Sequence, residues 1–195
     1  MNLPNKLTCI RMILMPVMVV LFYFGFYISA AAVFLIAAFT DMLDGKIARK
    51  RGLITTFGKF VDPLADKLIN LAAIILIAVH ISKNGSVIYG VFATVTALVI
   101  VSREVIITSF RALAASEGTV IAADKLGKIK TVFQDIAIVA LFLDASVLSN
   151  IPFAGELLHW TGAAMLAAAL ALTILSGINY FAANRELVSK IKEDI

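Results

Sequence analysis

The 195-residue chain has one cysteine, two histidines, one tryptophan and few charges, with Asp, Glu, Lys and Arg making up only 15% of it. Each scarcity excludes something. The lone Cys9 cannot close an intramolecular disulfide and reads as a small buried hydrophobe. His80 and His159 fall near the ends of apolar runs and read as interface residues rather than ligands. Soluble domains are about 25% charged. A chain this poor in charge, 61% hydrophobic and with a mean hydropathy of +0.98, is solvated mostly by lipid. A cleavage context is also missing. The apolar run from Met12 to Phe26 continues into Tyr27-Ile28-Ser29-Ala30, so it reads as a retained span rather than a signal peptide.

Apolar runs of membrane-crossing length fall at 7–27, 28–48, 60–81, 87–113, 131–148 and 157–181. The expected fold is therefore an all-α integral membrane protein with six transmembrane helices, forming one domain over 1–195. Before the first span, Leu3, Leu7, Ile10 and Leu14 recur at helical spacing beside Lys6 and Arg11, which suggests an N-terminal interfacial segment. Of the 17 Lys and Arg residues, 16 fall in the N-terminus, 41–67, 102–130 and the C-terminal tail, and only Lys83 falls on the opposite face. That bias puts the basic face, with both termini, in the cytoplasm.

On that basic face stand four acids that lipid tolerates poorly: Asp41, Asp44, Asp62 and Asp66. A carboxylate in the hydrocarbon layer costs roughly 2.5–3.5 kcal/mol on insertion scales, so its default reading is functional. Asp41, Asp44, Gly45 and Ala48 share one helical stripe; Gly58, Asp62 and Asp66 share a second. The short connection between them makes the two helices antiparallel neighbours, and the small residues allow close approach. Carboxylates this close repel one another unless a cation intervenes. Oxygen ligands without nearby His or Cys favour Mg2+, Mn2+ or Ca2+ over zinc. Two ions about 4 Å apart would suit phosphoryl transfer.

The pattern Asp41-x-x-Asp44-Gly45-x-x-Ala48-Arg49, then eight residues, then Gly58-x-x-x-Asp62-x-x-x-Asp66 resembles, at every fixed position, the motif of the CDP-alcohol phosphotransferases. The resemblance implies a six-helix membrane enzyme, usually a homodimer, that displaces CMP from a CDP-linked donor with an acceptor hydroxyl. It implies Asp41, Asp44, Asp62 and Asp66 as ligands for Mg2+ or Mn2+, two ions in number, with Asp66 also deprotonating the acceptor. It places Asp41, Gly45, Ala48, Arg49 and Gly58 around the donor's CDP group.

The motif is silent on the acceptor. Arg103 and Arg111 lie about two turns apart on one helix and, with Lys125, suit a phosphorylated acceptor, although basic residues also serve as a collar for anionic lipid headgroups. Lys130 reads as part of that collar, and Glu104 as a fixing partner for Arg103 or Arg111. The segments around Thr8 and Arg11, Ser102–Glu104, Leu126–Thr131 and Thr173–Gly177 resemble the family members that use glycerol phosphate. On that resemblance CDP-diacylglycerol is the donor and sn-glycerol 3-phosphate the acceptor, with Thr8, Arg11, Arg103, Arg111 and Lys125 holding the acceptor, membrane lipids surrounding the site and no nucleic acid involved. Inositol phosphate or phosphatidylglycerol as acceptor remains an alternative. A divalent-cation transporter is the alternative from another class, but it leaves Ala48-Arg49 and Gly58 without a purpose.

Overall fold

The computed structural model describes residues 3–51, 56–116, 121 and 125–185, with backbone alone at 3–5, 41–51, 56–63, 66 and 125. Six helices carry the chain: α1 (Leu3–Tyr23), α2 (Tyr27–Arg51), α3 (Thr56–Asn84), α4 (Val87–Ser116), α5 (Lys125–Asp144) and α6 (Pro152–Ala183), with a short 3-10 turn at Val147–Asn150. No strand occurs among the described residues.

Every helix delivers a large side chain to one core: Met18, Phe34, Ile74, Ile100, Ile138, Phe142 and Leu166 are all essentially inaccessible. Between lipid-exposed helices there is little hydrophobic drive to associate, so close packing must hold them together. Small residues make that packing possible. Ala30, Ala37, Ala73, Ala137 and Ala169 are fully buried. At Gly162 of α6 an added Cβ would lie 2.6 Å from Leu141 Cδ2 of α5, so any larger residue would force Leu141 to move. The outward faces stay apolar, with Val95, Leu98, Ile174 and Ile178 exposed.

The helices alternate in direction. At one end Phe22 of α1 packs edge-on against Tyr27 of α2 and His80 of α3, with ring centroids 5.0 and 5.6 Å away. At the same end Phe22 meets Phe142 of α5 at 4.7 Å. His159 of α6 bonds Asp144 of α5 at 3.0 Å and packs against Tyr89 of α4 at 5.6 Å. Both histidines thus serve as aromatic and hydrogen-bonding packing at this end. The opposite end gathers the start of α3 and α5 with the later turns of α4 and α6, where Lys67, Glu104, Lys130 and Ser176 meet.

Among the described residues four helices are long and apolar enough to cross a membrane, with candidate spans Lys6–Tyr23, Lys67–Asn84, Val87–Ser116 and Pro152–Ala183. The apolar stretch of α2 is the shorter Tyr27–Thr40. Several boundaries differ from the sequence expectation. The first span ends at Tyr23 rather than residue 27 because Gly25, at φ 81°, terminates α1. Phe26 N–H reaches Leu21 O at 2.9 Å and Gly25 N–H reaches Phe22 O at 3.0 Å, a Schellman closure that needs the left-handed conformation at Gly25. The expected interfacial segment is not a separate element, since α1 runs unbroken from Leu3 into the core. Helices α3, α5 and α6 begin four to six residues earlier than the apolar runs, because charged and turn-flanking residues join them. Pro152 opens α6 at its first turn, where no amide donor is required.

Candidate functional site

The motif aspartates lie entirely on helix: Asp41, Asp44, Gly45, Ala48 and Arg49 on the last turns of α2, and Gly58, Asp62 and Asp66 on the first turns of α3. Their side chains lie outside the described residues, but the helical register places the positions. On α2, Asp41 and Asp44 continue the stripe of Ala30, Phe34 and Ala37, all buried. On α3, Asp62 and Asp66 continue the stripe of Ile69, Ala73 and Ile77, also buried. Both pairs therefore occupy core-facing register. Only residues 52–55 separate the two helices, so the ends of α2 and α3 lie within ~18 Å of each other.

Among the described side chains no other group of three His, Cys, Asp or Glu could hold a metal. By its chemistry, the motif's all-carboxylate set of residues fits a hard divalent cation.

Beside this region α4 carries the basic residues. Arg103 donates from Nη1 to Glu104 Oε1 at 3.0 Å and from Nη2 to Ser176 Oγ of α6 at 3.0 Å. Arg111 donates from Nε to the Tyr180 hydroxyl at 3.4 Å, and its guanidinium lies 5.4 Å from the centre of that ring. Ser176 and Tyr180 are one turn apart, so Arg103 and Arg111 both address the same face of α6, as their spacing suggested. Thr8 and Arg11 of α1 are fully buried, and both are engaged with partners. Lys125 opens α5, but its side chain lies outside the described residues.

Sequence reasoning missed the centre of the cluster. Lys130, read as part of a lipid-binding collar, is only 2% exposed and forms an ion pair with Glu104. Lys67 of α3 lies 3.8 Å from the same carboxylate and donates to Thr108 Oγ1, which in turn donates to the Glu104 carbonyl at 2.6 Å. Glu104 thus fixes Arg103, as expected, and also two lysines from other helices. Its available signal was that it is the one acid of α4, beside a basic residue in an apolar stretch. Seventeen residues past Val87, it lies ~26 Å along α4, a distance comparable to a ~30 Å hydrocarbon layer.

The segments singled out beside the motif converge here. Gly127 of α5 is close enough to Arg103 that a Cβ would lie 3.2 Å from its Nη2. Ser176, from the Thr173–Gly177 segment, accepts from Arg103 and donates to the Thr173 carbonyl at 3.2 Å. A cavity of about 320 Å3 between α4 and α6 is lined by Ser102, Arg103, Ile106 and Gly177. The cavity of about 400 Å3 between α3 and α4, lined by Ile75, Ser82, Lys83 and Thr94, belongs to the opposite half and takes no part in this site.

Comparison with known proteins places this geometry in context. A family model described as CDP-alcohol phosphatidyltransferase matches residues 1–175. A CDP-diacylglycerol–glycerol-3-phosphate 3-phosphatidyltransferase of Bacillus subtilis is 38% identical over 201 residues, covering 95% of this chain and 96% of its own. The protein of the same name from Rickettsia typhi is 33% identical, covering 93% and 96%. A probable phosphatidylglycerophosphate synthase of Mycobacterium tuberculosis is 38% identical, covering 93% of this chain and 80% of its own.

Proposed function

Because the chain belongs to the CDP-alcohol phosphatidyltransferase family and is thus a transferase, we propose that it moves the phosphatidyl group of CDP-diacylglycerol to sn-glycerol 3-phosphate, giving phosphatidylglycerophosphate and CMP. The observation that carries the acceptor assignment is the buried basic cluster. Lys67, Arg103 and Lys130 surround one carboxylate, a cationic set that suits an incoming phosphate. The names of relatives that match almost end to end support the same acceptor. A zwitterionic acceptor such as serine would have less use for three cations.

In this reading Asp66 accepts the proton of the acceptor's C1 hydroxyl. The hydroxyl oxygen then forms a bond to the phosphorus that carries diacylglycerol, and the bond from that phosphorus to the CMP oxygen breaks. Asp41, Asp44, Asp62 and Asp66 would hold two divalent cations, Mg2+ or Mn2+, which would supply positive charge to neutralise the pyrophosphate. Gly45, Ala48 and Gly58 leave room for the cytidine, and Arg49 contacts a donor phosphate. Arg103 and Arg111, with Thr8, Arg11 and Lys125, hold the acceptor's phosphate, where guanidinium groups bind in a fork. Binding the non-reacting phosphate fixes the hydroxyl for attack, and such positioning lowers the barrier substantially.

The protein forms one domain that crosses the cytoplasmic membrane six times, with the site facing the cytoplasm. It acts as a homodimer, which sedimentation in detergent tests by mass. The activity is tested with purified protein, CDP-diacylglycerol, radiolabelled sn-glycerol 3-phosphate and Mg2+ or Mn2+. Label should enter a chloroform-extractable phospholipid, and EDTA should abolish its incorporation. Incorporation only from inositol phosphate or serine would refute the acceptor assignment, and cation flux without lipid labelling would refute the transferase.

A further inference from the structure

We infer that Glu104 is the positioning residue of the acceptor-phosphate site: one carboxylate gathers Lys67, Arg103 and Lys130 from three helices and holds them aimed at a single point. The inference rests on the proposed acceptor and goes further by naming Lys67 and Lys130 as ligands and Glu104 as their organiser.

Three observations carry it. First, Lys130 is 2% exposed and Arg103 14%, so neither cation is solvated as a surface side chain would be. Cations buried this close repel one another and scatter toward water unless an anion lies between them. Glu104 supplies that anion. The guanidinium and the two ammonium groups it gathers are the charged donors that a phosphate's oxygens would take.

Second, the cluster is fixed from every side. Thr108 holds Lys67 and returns its hydroxyl hydrogen to the Glu104 carbonyl, while Ser176 holds the far arm of Arg103. Gly127 supplies the space in which that arm lies. Third, Arg103 still has a donor to offer. Its Nε is buried without a hydrogen-bond partner, although both terminal nitrogens are used. A buried orphan donor is costly and becomes satisfied if a ligand oxygen arrives. Geometry supplies the link to chemistry, since Lys67 immediately follows Asp66 in α3.

Glu104 touches neither substrate in this scheme; it acts through the cations. Glu104→Gln and Glu104→Asp, reconstituted as full-length protein, separate this role from a general structural one. For Glu104→Gln the KM for sn-glycerol 3-phosphate should rise about tenfold or more, while the KM for CDP-diacylglycerol stays within about twofold. Glu104→Asp, which restores the charge on a shorter arm, should recover part of the lost affinity. Ser176→Ala removes one outlying contact and guards against a misfolded Glu104 variant. It should raise only the acceptor KM, by a few-fold. An unchanged or lowered acceptor KM in Glu104→Gln and Ser176→Ala, or parallel loss for both substrates, would overturn the inference. Failure of the unaltered protein to use glycerol phosphate would instead refute the proposed acceptor.

Discussion

Asp66 and Lys67 are neighbours in sequence but point about 100° apart on a helix, and that divergence suits their proposed tasks. Asp66 falls in register with Ile69, Ala73 and Ile77 of α3, whereas Lys67 turns to Thr108 and Glu104 on α4. An acceptor bound between them would offer its phosphate to one side and its hydroxyl to the other. Asp66→Asn keeps the size of the side chain and removes its basicity. Turnover should fall by roughly 10²–10⁴-fold, the range of general-base contributions, while CDP-diacylglycerol binding measured by equilibrium dialysis is retained. Loss of donor binding as large as that in Asp41→Asn would mean that Asp66 acts chiefly as a metal ligand.

At the scale of the element, hydropathy revealed all six helices but misplaced several of their ends. The apolar run through Phe24-Gly25-Phe26 has no polar interruption, so hydropathy alone does not register the turn that Gly25 makes with its positive φ. The N-terminal part of α5 is the reverse case. Lys125, Lys128 and Lys130 look like a loop by hydropathy, yet they are helical, and Lys130 points into the protein with its counter-ion. The motif was legible because its spacing matches one helical face within each of two consecutive segments. The Glu104 cluster was not. Its members come from positions 67, 104, 130 and 176, and only the packing of α3, α4, α5 and α6 brings them together. A local pattern can announce a stripe, but not which other stripe it will face.

The whole molecule separates its two ends by charge. The end that gathers Lys67, Arg103, Glu104 and Lys130 is the proposed reactive end, and the other end is aromatic, with Phe22, Tyr27 and His80 in one group, Tyr89 and His159 in another, and Lys83 its only lysine or arginine among the described residues. That asymmetry favours placing the reactive end in the cytoplasm, where soluble glycerol phosphate and CMP can enter and leave while acyl chains stay in lipid. Single cysteines in a Cys9→Ser background test this arrangement in intact cells. A membrane-impermeant maleimide should label Lys83→Cys directly and Arg185→Cys only after permeabilisation. Equal labelling of both before permeabilisation would contradict six crossings with the termini inside.

In the proposed site, carboxylates from α2 and α3 converge on shared divalent cations. Mn2+ titration followed by electron paramagnetic resonance, on purified protein with CDP-diacylglycerol, measures this without requiring turnover. Asp41→Asn on α2 and Asp62→Asn on α3 should each weaken Mn2+ binding by about tenfold or more, because each removes a ligand from the same centre. Undiminished Mn2+ affinity in both folded variants would contradict the account.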